Sequence, residues 1–147
     1  MEQNLPRWNL SDLYSGINDD KLKADKVTVN KQTEDFEYCY KGKIDNNLNV
    51  NTFVEAIKAY ESIQSLLSKI LSFSYLLYAT QVSNKEISGF LQQARDFSQS
   101  ISSKLVFFDL SVNNISEDVL QKWLKDSKEL HFYTSFLEQI RKFKPYQ

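Results

Sequence analysis

A chain of 147 residues is one domain's worth of length, enough to bury about two thirds of its unfolded surface without disulfides or metal. With 41% hydrophobic and 14% aromatic residues, it reads as globular rather than disordered. The net charge of −1 is nearly balanced in each half, which argues against nucleic acid and anionic membrane as partners.

The opening MEQNLPRWNL has no apolar run of signal-peptide length. Residues 1–18 read as an irregular arm, and residues 19–147 as one helical domain. Three glycines and two prolines leave few places for turns, so the chain reads as long helices. The first begins near Asp19–Asp20, whose charges favour a helix N-terminus, and ends near Tyr40, before Gly42 as a left-handed terminator. Leu22, Val29 and Phe36, with Thr33 and Tyr40 between and beyond, form one narrow apolar stripe. The second opens at TFVE, where Thr52 and Glu55 have capping-box spacing. Its stripe is Phe53, Ile57, Tyr60, Gln64, Leu67, Leu71, Ser74 and Tyr78.

The third helix repeats the device with Ser83 and Glu86, followed by Ile87, Phe90, Ala94, Phe97, Ile101, Leu105 and Phe108. Gly89 inside it costs about 1 kcal/mol relative to alanine, and close helix approach is the expected reason. A short fourth helix follows Ser116 as cap and buries Val119, Leu120, Trp123 and Leu124. A fifth runs from about Glu129 to Lys142, burying Tyr133, Phe136, Leu137 and Ile140, and Pro145 cannot continue it. The most apolar stretch, SLLSKILSFSYLLYA, is interrupted by Lys69 and serines and is too short to span a bilayer. The fold expected is all-α, a bundle-like array of about five helices.

No catalytic constellation stands out. Zinc peptidase chemistry needs H-E-x-x-H, and this chain has one histidine, His131. Cys39 is the one cysteine, which excludes an internal disulfide and suits a reducing cytoplasm. Between Tyr38 and Tyr40 it reads as a small packing residue rather than a nucleophile. No G-x-S-x-G elbow or phosphate-binding glycine loop is present. The basic end RKFKPY is explained by the dipole at a helix C-terminus. Tyr60, Tyr75 and Tyr78, with Phe73, are the more informative group. They read as core aromatics with phenols at the rim, or as residues lining a groove or a contact with further sequence.

Several segments, in order, resemble one known arrangement. RWNLSDLYSG, with Trp8, Leu10, Asp12, Leu13 and Tyr14, is similar to the opening of bacterial oligoendopeptidase F and its relatives, the thimet-type zinc metallopeptidases. FEYCYKGKI resembles a later element through Phe36, Tyr40, Gly42 and Lys43. AYESIQSLLSKILSFSYLLYA resembles the following helix, including Tyr60, Glu61, Ser74, Tyr75, Tyr78 and Ala79. LVFFDLSVNNISED and YTSFLEQIRKFKP resemble the next two segments, the last through Tyr133, Leu137, Glu138, Arg141, Lys144 and Pro145. The chain departs from the family pattern at Thr80–Gln81, where an acid is common, at Asp109 in place of glutamate, and at Tyr146 in place of histidine.

The resemblance implies a non-catalytic N-terminal lobe of a larger helical peptidase that hydrolyses short peptides, with the lobe forming part of the substrate-channel wall. The family's zinc is held by the H-E-x-x-H histidines and a later glutamate; none of these can be assigned here, so zinc is expected only in a full-length parent. The expected partners are a missing C-terminal catalytic region and, for the parent, short peptides, with no nucleic acid and no membrane. KPYQ then looks like a joint between segments, the isolated chain is expected to be inactive, and its location to be cytoplasmic. Tyr60, Tyr75 and Tyr78 are the candidate channel or domain-contact residues. A self-contained helical interaction module, or a shortened peptidase-derived product without activity, remains the alternative.

Overall fold

The computed structural model describes residues 13–142. Most of the arm, the stop at Pro145 and most of the basic RKFKPY end lie outside the described residues. Six helices follow in order: α1 Asp20–Tyr40, α2 Val50–Thr80, α3 Lys85–Asn113, α4 Glu117–Asp126, α5 Lys128–Phe132 and α6 Thr134–Lys142. Among the described residues there is no strand, and the fold is all-α.

Local chemistry sets the helix ends. Asp19 opens α1: its carboxylate accepts from Lys21 N at 2.8 Å and from Ser15 N at 2.7 Å. Beyond Tyr40 the chain turns through Gly42 at φ 76°, the left-handed conformation that glycine adopts without Cβ strain. Two expected caps are corrected. α2 starts at Val50 because Asn49, not Thr52, accepts a hydrogen bond at its first turn, from Asn51 N at 2.8 Å. α3 starts at Lys85 because Asn84, not Ser83, accepts from Glu86 N at 2.9 Å and Ile87 N at 3.3 Å. Asparagine caps at least as well as serine or threonine, so the spacing of Glu55 and Glu86 pointed at the wrong neighbour. Gly89 is also corrected: a Cβ built there meets nothing within 4 Å, so close helix approach is not its reason.

Ser116 caps α4 as expected, accepting from Val119 N at 3.3 Å. The expected fifth helix is two. Ser127 ends α4 through its N–H to Trp123 O and begins α5 by accepting from Leu130 N at 3.0 Å. α5 then closes at Tyr133, whose N–H turns back to Leu130 O at 2.8 Å, a tight three-residue bond in place of the α-helical one. α6 starts at the next residue.

The chain divides into two compact units. In the unit of residues 13–31 and 63–101, Leu22, Val29, Ile70, Phe73 and Ala94 are buried. Tyr14 is also buried: its ring meets Phe73 edge-on at 5.2 Å and its hydroxyl donates to Asp25 Oδ2 at 2.6 Å. That hydroxyl is held well above its ordinary pKa, by burial first and by the Asp25 carboxylate second. Lys69 Nζ sits 4.8 Å from the same ring and 3.6 Å from Asp25. Here Phe73 faces Phe90 edge-on at 6.0 Å, and Lys26 lies over Phe90 at 5.4 Å.

The unit of residues 32–62 and 102–142 is built on aromatics. Phe36 is in ring contact with Tyr40, Tyr60, Phe107 and Phe108 at 5.1 to 6.0 Å. Phe53 of α2 meets Trp123 of α4 at 4.8 Å. Each such side chain fully removed from water contributes about 1.5–3 kcal/mol. Lys58 of α2 pairs with Glu129 of α5, and Asn46 of the α1–α2 connection accepts from Ser116 N at 2.9 Å. Ile44 and Leu130, outside the expected stripes, are buried. Among the described residues, no helix is long and apolar enough to cross a membrane.

Candidate functional site

The three candidate tyrosines are divided between the two units. Tyr60 belongs to the second unit, and Tyr75 and Tyr78 belong to the first. Tyr75 is 48% exposed, and Tyr78 is half-buried. Tyr60 has the richest surroundings. Its ring stacks on Phe108 of α3 at 4.7 Å and meets Phe136 of α6 edge-on at 5.8 Å. Its hydroxyl donates to Asp109 Oδ1 at 3.2 Å.

These contacts form one side of a hollow of about 390 Å³, bounded by Tyr60, Asp109, Leu110, Asn113, Phe136, Gln139 and Ile140. The size is that of a small-ligand or side-chain pocket. Its geometry follows from helix periodicity. Asp109 and Asn113 are one turn apart on α3, as Phe136 and Ile140 are on α6, so each pair presents one face. The walls are apolar where Leu110, Phe136 and Ile140 stand. Asp109 is the one formally charged residue among the described lining residues.

Two polar groups give the hollow its character. Burial raises the Asp109 carboxyl above its ordinary range, and the hydrogen bond from Tyr60 opposes the shift. Asn113 is 8% exposed. Its Nδ2 donates to Asp109 O at 2.8 Å and to Ile140 O at 3.4 Å, the second serving a carbonyl in the last turn of α6. Those two carbonyls fix the amide orientation, since turning it over would set oxygen against oxygen. Asn113 Oδ1 is then a buried acceptor with no hydrogen-bond partner among the described residues.

Asp109 and Asn113 were not among the sequence candidates. The signal that could have found them is two polar residues at i and i+4 amid Leu105, Phe108 and Val112 on the buried side of a helix. Cys39, expected as packing, is instead exposed, on a shallow surface hollow beside Phe36 and Tyr40. His131 is exposed on α5. Among the described residues no group of three or more His, Cys, Asp or Glu could hold a metal ion. With one histidine in the whole chain, the residues present do not fit a peptidase zinc.

Comparison with protein-family models matches residues 112–147 to the N-terminal model of the family described as oligopeptidase F. The match covers about a quarter of the chain: the end of α3, then α4 to α6 and the residues after them. It includes Asn113, Phe136 and Ile140 of the hollow, and leaves out Tyr60 and Asp109. No match was found among curated proteins or solved structures. The resemblance to the oligoendopeptidase F family therefore rests on a family-model match as well as on the phrases quoted above.

Proposed function

We propose that this chain, similar over its last quarter to the N-terminal region of oligopeptidase F, is the non-catalytic N-terminal part of a zinc-dependent oligoendopeptidase that hydrolyses short peptides. The observation that carries the reading is the family-model match over residues 112–147, on an all-helical chain. Its role in that reading is to form part of the wall of the substrate channel. The zinc and the H-E-x-x-H glutamate that activates metal-bound water belong to a catalytic region with which this chain cooperates. No step of the hydrolysis is assigned to residues of this chain.

The test is hydrolysis of a fluorogenic peptide library by the purified chain, with and without a metal chelator. No hydrolysis is expected. Cleavage by this chain that a chelator abolishes would overturn the reading, because it would place a metallopeptidase centre within residues that lack its ligands. Sequencing the gene beyond the Gln147 codon is the complementary test. The reading expects an in-frame H-E-x-x-H, and a stop codon directly after Gln147 would reduce the likeness to ancestry.

A further inference from the structure

We draw no further inference here: the strongest candidate, the hollow of about 340 Å³ lined by Lys23 and Lys26 of α1 and by Lys85, Glu86 and Phe90 of α3, sets surface lysines and a carboxylate beside the first turn of a helix, and nothing in the structure shows what covers it.

Discussion

At Asp109, burial lifts the carboxyl above its ordinary value of 3.8, and the hydrogen bond from Tyr60 offsets part of that rise. The folded chain therefore keeps a proton at pH values where the unfolded chain has released it. The stability this group contributes is full below the unfolded pKa and is lost as pH rises through the raised folded value. Asp19 behaves oppositely: hydrogen bonds from the Ser15 and Lys21 backbone N–H groups hold its carboxyl below 3.8. Its contribution is present above the unfolded pKa and is lost as pH falls through the lowered one. Thermal unfolding from about pH 3 to about pH 7 should separate the two. Asp109→Asn should gain on the parent as pH rises, whereas Asp19→Asn should fall behind it. A gap independent of pH in either variant would contradict the assignment. Asp19 was legible in the sequence, as an acid directly before a helix. The shift at Asp109 was not, because its burial depends on residues of α6 far along the chain.

Among the elements, helix existence was more legible than helix ends. The stripe Leu22, Val29, Phe36 is buried throughout, because a 3.6-residue period survives any tertiary arrangement that covers one face. α2 was only half read: Ile63, Ile70 and Phe73, off its expected stripe, are also buried, so this helix is covered on more than one face. Caps were misread because several competent residues lie within a few positions of each start. The structure makes the choice testable. Asn84→Ala should cost about 1 kcal/mol and Ser83→Ala close to nothing, measured by urea unfolding; the reverse order would restore the capping box. The break at Tyr133 left no mark in the sequence, which has neither glycine nor proline between Lys128 and Lys142.

For the molecule as a whole, the scarcity of glycine and proline and the helical stripes were enough to give the all-α class. The division into two units was not legible, since it depends on which helix segments pack together rather than on any linker. Each of α1, α2 and α3 contributes one stretch to each unit, so neither unit can unfold without fraying helices that continue into the other. Chemical denaturation should accordingly show one transition. Phe73→Ala in the first unit and Phe108→Ala in the second should each lower it by about 3–5 kcal/mol. Two transitions, each moved by only one substitution, would show that the units unfold independently. Asn113 and the α6 carbonyl it serves lie within the family match, whereas the charged residue of the hollow, Asp109, lies outside it.

Ser127 leaves no slack in the chain. One residue is both the last bond of α4 and the first of α5, so the spacing between those helices has no spare length to lose or gain. An added residue would have to displace either the bond to Trp123 or the bond from Leu130, and with it Trp123 or Leu130 from the core. The exposed turn at Gln81–Ser83 has no such double duty. Insertions and deletions arising in this protein's lineage should therefore accumulate at that turn and be excluded from the Ser127 junction.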